Sequence, residues 1–106
     1  MSYIRHHAIV VTGWLASEVA DAASFARSVG ASVIGPSEKV MNGYSTFTVC
    51  PDGSKEGCAE SNDGDSRRIR IVAHLKDKAS FLEWAVVEYG ADDDSASVIE
   101  HTWMEE

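Results

Sequence analysis

The chain predicts an α+β fold, a two-layer sandwich in which a mainly antiparallel sheet carries two helices on one face. Three observations point there. A run of β-branched residues, Ile9, Val10 and Val11, stands near the start. The stretch SEVADAASFARSVG that follows places apolar residues at helical spacing. Beyond it, short apolar runs alternate with turn signals through the rest of the 106 residues. That length suits a single domain spanning residues 1–106, with one core.

Taken in order, residues 4–12 form a first strand, and its continuous apolar run predicts burial on both faces, hence a central position. Gly13 ends it. Ser17 is then a suitable N-cap, and Val19, Ala22, Ala23, Phe25, Ala26 and Val29 line one helical stripe. Glu18 and Asp21 near the start and Arg27 near the end complement the helix dipole, and Gly30 is a natural residue just past the last turn. Residues 32–35 make a short strand stopped by Pro36. The tetrad VMNG ends in the strong turn pair Asn42-Gly43, and YSTFTVC, residues 44–50, is rich in strand formers.

Residues 67–76, RRIRIVAHLK, are ambiguous on their own. Ile69, Ile71, Ala73 and Leu75 alternate as in a half-buried strand, yet Ile69, Val72, Ala73 and Lys76 also fit a helical face. Asp63 or Asp65 would cap such a helix at its start. Residues 81–89 are open between helix and strand. GADDDS is an acidic turn, and SASVIEHTW follows as a final strand closing a hairpin.

The segments YIRHHAIVVTGW, NGYSTFTVCPDGSKEG, ESNDGDSRR and LEWAVVEYG together resemble a family of small uncharacterised proteins encoded by bacteriophages and prophages. The resemblance implies a helix over residues 65–76 and a strand over 82–89, and it implies no activity. The order becomes β-α-β-β-α-β-β, which suits a ferredoxin-like arrangement with one added strand.

Composition bounds the function. Hydrophobic residues make up 44% and charged residues 25%, as in ordinary globular domains. A net charge of −8 argues against non-specific binding to nucleic acid or to an anionic membrane, both of which need clustered Lys and Arg. The short apolar stretch after His6 and His7 is a strand and not a signal peptide, so a cytoplasmic protein is expected. Cys50 and Cys58 are the two cysteines, at neither a redox nor a zinc spacing, and reduced thiols are expected in that compartment.

Several constellations bear on chemistry. Asp52, Ser54, Glu56, Gly57, Glu60 and Asp63 match positions 1, 3, 5, 6, 9 and 12 of a calcium loop, but an acidic surface connection leading into a helix cap explains them more simply. His6 or His7 would meet His101 if their strands were neighbours, with Glu100 or a cysteine completing a metal site. No nucleophile elbow, Walker loop or dinucleotide fingerprint occurs, so no catalytic residues and no cofactor are expected. The basic cluster Arg67, Arg68 and Arg70, together with Arg5, offers charge-assisted bonds to an anion, helped by a helix N-terminus. Trp14 and Trp103 are the aromatics expected to be exposed.

The sequence therefore supports a small, non-enzymatic phage-type accessory binding protein. Its expected action is to block a host defence protein through an acidic and aromatic surface that includes Glu60, Asp63, Asp92, Asp93 and Asp94. The alternative is an oligomeric binder that sequesters a small anionic, nucleotide-like ligand with Arg5, Arg67, Arg68 and Trp14 or Trp103. A metal- or cysteine-dependent enzyme is the third reading. Homo-oligomers through edge strands are compatible with the pattern.

Overall fold

The structure is a computed structural model that describes residues 5–51, 59–78, 82–90 and 96–102; within these, the side chains of Arg5 and of residues 59–63 and 77–78 are not described. The described elements run β1 (Arg5–Gly13), α1 (Ala16–Ser28), β2 (Val33–Ile34), β3 (Ser45–Val49), α2 (Ala59–Lys78), β4 (Glu83–Gly90) and β5 (Ser97–His101). The sheet order is β2-β3-β1-β4-β5 and every neighbouring pair is antiparallel. Without β5, the order β4-β1-β3-β2 is that of the ferredoxin-like split βαβ arrangement. The expected fold class and element order are both present.

β1 holds the centre because it pairs on both sides. Ile9 lies opposite Val49 and Val86, and Val11 opposite Phe47 and Trp84. Since side chains alternate across a strand, these residues share one face. That face meets Val19, Ala22, Ala23 and Ala26 of α1 and Ile71, Val72 and Leu75 of α2 in one buried core. The alanines keep α1 thin, so its backbone approaches the sheet closely. His74 of α2 stacks flat on Phe25 of α1, with ring centroids 3.9 Å apart and planes 4° from parallel, and this stack bridges the two helices.

α1 ends as its sequence suggests. Ala31 N–H donates to Ala26 O at 3.1 Å and Gly30 N–H to Arg27 O at 3.0 Å, with Gly30 at φ +93°. These bonds are the paired closures of a Schellman motif, for which glycine carries no steric cost. Its start differs from expectation. The helix begins at Ala16 after Leu15, and Leu15 makes no side-chain cap bond, so Ser17 lies inside the first turn.

Three expectations need correction. α2 begins at Ala59, so Asp63 and Asp65 sit inside the helix and do not cap it. The calcium reading of residues 52–63 falls mostly on residues 52–58 and on the side chains of 59–63, which lie outside the described residues. Neither proposed face of residues 67–76 is the buried one: Ile71, Val72 and Leu75 are buried, while Ile69 and Ala73 are exposed. Finally, β1 is central but covered on one face only, because both helices pack on the same side and Val10 remains exposed on the other. Among the described residues no helix is long and apolar enough to cross a membrane.

Candidate functional site

A cavity of about 330 Å³ opens where the two helices diverge at one end of the sheet. His7, Ile9 and Val49 form its floor. One wall is the connection leaving α1, Gly30 to Ser32, with Cys50 and Pro51 beyond the end of β3. The opposite wall is α2, which contributes Gly64, Asp65, Arg67, Arg68 and Ile71. Positions 64, 67, 68 and 71 recur at helical spacing and therefore form one stripe. Its deep end, Ile71, joins the core, and its outer end carries the guanidinium groups.

Local geometry holds these walls in place. Cys50 N–H donates to Ser32 O at 2.8 Å and ties the α1–β2 connection to β3. Cys50 itself carries a free thiol. A Cβ built on Gly30 would stand 3.6 Å from Arg67 Cδ, an ordinary van der Waals distance, which places the aliphatic stem of Arg67 beside the end of α1. On the floor, His7 Nε2–H donates to Glu88 Oε2 at 2.9 Å, across the register pair His7–Glu88 of β1 and β4. That bond fixes the imidazole plane.

The electrostatics are mixed. Arg68 Nη1 donates to Asp65 Oδ1 at 2.9 Å, one helical turn away, and both groups keep contact with solvent. Such an exposed pair is worth little to stability, about 0–1 kcal/mol, so it orients the guanidinium and does not lock it away. Arg67 and Arg68 share the lining with Asp65, and Glu88 stands beside it, hydrogen-bonded to His7. The volume falls at the lower end of the roughly 300–1,000 Å³ range of small-molecule sites. Ile9, Ala31, Val49 and Ile71 give it an apolar interior beneath the charged rim.

The residues expected from the sequence separate into distinct places. Arg67 and Arg68 line the cleft, whereas Arg70 is exposed outside it. Both lining arginines lie two turns inside α2, so the helix N-terminus does not assist them as expected. Arg5 opens β1 opposite Gly90, two residues before His7. Trp14 is exposed, as expected, but follows the far end of β1, about 24 Å from His7 along an extended strand. It therefore does not share a ligand with Arg67. The side chains of Glu60 and Asp63, and all of Asp92, Asp93, Asp94 and Trp103, lie outside the described residues.

The histidine site does not assemble. β5 pairs with β4, so β4 stands between His101 and the strand that carries His6 and His7. Among the described residues no group of three or more His, Cys, Asp or Glu side chains gathers to hold a metal. The sequence reading missed Glu88 as the partner of His7 and missed the cleft role of the Gly30–Ser32 connection. Both depend on strand register, which a single strand's sequence does not carry.

Together these features define a small α+β domain with a partly apolar cleft that carries two arginines. No family model matches the chain, and no match is found among curated proteins or solved structures.

Proposed function

We propose that this protein is a non-enzymatic binding module for a small anionic ligand of nucleotide-like chemistry. The observation that carries this reading is the convergence of Arg67 and Arg68 on a 330 Å³ cleft in a strongly acidic chain. A guanidinium offers a planar fork of donors that matches phosphate or carboxylate oxygens, and two on adjacent positions grip one anion from two directions. The apolar floor suits a ring or short hydrocarbon attached to that anion. Sequestration of such a ligand in the host cytoplasm, as a phage-type accessory function, is the setting we favour, on the strength of the sequence resemblance.

Thermal unfolding in the presence of ADP, AMP and inorganic pyrophosphate tests this reading. Wild type is expected to gain Tm with at least one of them, in proportion to the logarithm of ligand concentration. Arg67→Ala combined with Arg68→Ala is expected to remove at least about tenfold in affinity, as losing one charge-assisted contact of roughly 1.5–3 kcal/mol predicts. If no probe raises Tm at millimolar concentration, the reading fails. A block of a host protein through the acidic surface then becomes the account to pursue, and neutralising Asp92, Asp93 and Asp94 is its test.

A further inference from the structure

Among the described residues, no helix lies on the second face of the sheet. The register identifies its residues. Ile34 lies opposite Thr48, Thr48 opposite Val10, Val10 opposite Ala85, and Ala85 opposite His101. A parallel row brings Ala8, Val87 and Val98 together. Two side-chain contacts confirm the face: Thr12 Oγ1 lies 2.8 Å from Thr46 Oγ1, and the His6 and Tyr89 rings meet with centroids 5.2 Å apart and planes tilted by 44°.

The face is apolar where solvent would favour charge. Val10 is 38% exposed at its centre, and Ile34 and Val98 towards its two edges are 68% and 55% exposed. Its polar residues are Thr12, Thr46, Thr48, His6, Tyr89, His101 and Glu83, and Thr12 and Thr46 satisfy each other. Among the described residues Glu83 is the one carboxylate on this face, although the chain has 17 acidic residues. An antiparallel sheet with one face in water ordinarily alternates apolar-in with polar-out. Here β1 instead keeps the continuous apolar run of a strand covered on both sides.

We infer that this open sheet face is a homodimer interface, covered by the same face of a second copy. Charge selects the occupant. A foreign partner attracted to a chain of net charge −8 would be basic and would seek the acids, of which this face carries Glu83 alone among the described residues. Two copies joined here bring neutral surface to neutral surface and keep their acids at the rim, in water. Area suits a modest interface. The five strands are two to nine residues long and hold 29 residues; at about 4.8 Å spacing and 3.3 Å rise they present roughly 460 Å² each, or about 900 Å² for the pair, close to the ~1,000 Å² of a specific interface. Flat rows of valine, isoleucine and threonine are self-complementary, and two sheets stack face to face about 10 Å apart. In a twofold arrangement centred on β1, Val10 lies close to its own copy. This inference is independent of what the cleft binds, since the cleft opens on the helical side.

Sedimentation equilibrium across micromolar to submillimolar concentrations tests it. Wild type is expected at twice the chain mass of 11.5 kDa, and rising salt should tighten the dimer by screening the rim. Val10→Lys is expected to give the single-chain mass at every concentration. The edge variant Ile34→Lys, which leaves the core intact, should weaken association at least about tenfold, the effect of roughly 1.4 kcal/mol. Lysine makes the chain less acidic, so general repulsion cannot explain a loss. Ile69→Lys, exposed on α2 away from the sheet, is the control and should remain dimeric. A monomeric wild type at submillimolar concentration overturns the inference and leaves the face to a different chain. A dimer unchanged in folded Ile34→Lys overturns it as well and moves the contact elsewhere.

Discussion

The two faces of this sheet are built from the same strands and differ in every other respect. On the helical side Ile9, Val11, Phe47, Val49, Trp84 and Val86 are buried with both helices in one core. On the other, Val10 and Tyr89 are partly open to solvent, and Ala8 alone is buried. A strand cannot place an apolar residue on one face without offering its neighbours to the other, and β1 is apolar at both. The difference shows that hydrophobic pattern alone does not state which partner covers a surface. One face of β1 is covered by its own chain, and the other is the face we infer a second copy covers.

Substitution on the covered face should have the largest effect. Phe47 is among the largest fully buried side chains and faces both helices from β3. Phe47→Ala is expected to cost about 3–5 kcal/mol, a large share of the 5–15 kcal/mol typical of a domain, as measured by urea unfolding. Val10→Ala removes two methyl groups from the open face and should cost less than about 1 kcal/mol in dilute solution. At high chain concentration its cost should grow, because the dimer stabilises the folded state by mass action. Equal costs for the two variants would erase the distinction between the faces.

A smaller effect is expected at the edge of the sheet. Gly35 has φ +103°, and a Cβ there would lie 2.9 Å from Thr46 O and 3.1 Å from Phe47 Cα. Both obstacles are backbone, so β2 must shift away from β3. Gly35→Ala is therefore expected to cost about 1–3 kcal/mol and to loosen β2 without unfolding the centre. Hydrogen exchange would show this as faster exchange at residues 33–35 and unchanged protection at Ile9 and Val86.

Much of this was legible in the sequence, and the illegible parts share a cause. The α1 stripe and the Gly30 terminus follow from local rules, since spacing and backbone preference act within a few residues, whereas the strand over residues 83–90 was open on those rules and came from the resemblance. The beginning of α2 did not follow. Ala59 to Asp63 carry no apolar stripe, and their helical course extends a helix anchored later by Ile71, Val72 and Leu75. The β-branched IRIV run was resolved towards helix by resemblance, because packing against α1 overrides strand propensity there. The cleft was half legible. Arg67 and Arg68 stood out by charge, but His7 with Glu88, and Gly30 beside Arg67, are joined by register and by packing between elements. Trp14 was correctly expected to be exposed, yet only the length of β1 shows that it stands at the other end.

The smallest effect gives the sharpest comparison. Thr12 and Thr46 sit on the open face with their hydroxyls 2.8 Å apart, each the other's partner across β1 and β3. Valine keeps the shape and strand preference of threonine but removes the hydroxyl. In dilute solution water can replace a lost partner, so Thr12→Val should cost only about 0.5–1 kcal/mol. In the dimer water is excluded, and the orphaned Thr46 hydroxyl should raise that cost towards about 1–3 kcal/mol. Replacing both residues removes donor and acceptor together and should recover most of the loss. A double-mutant cycle at low and at high chain concentration measures this directly. A coupling that strengthens with concentration marks the open face as a dry interface; a coupling that stays small and constant means that water still reaches it and that the two faces differ in exposure for good.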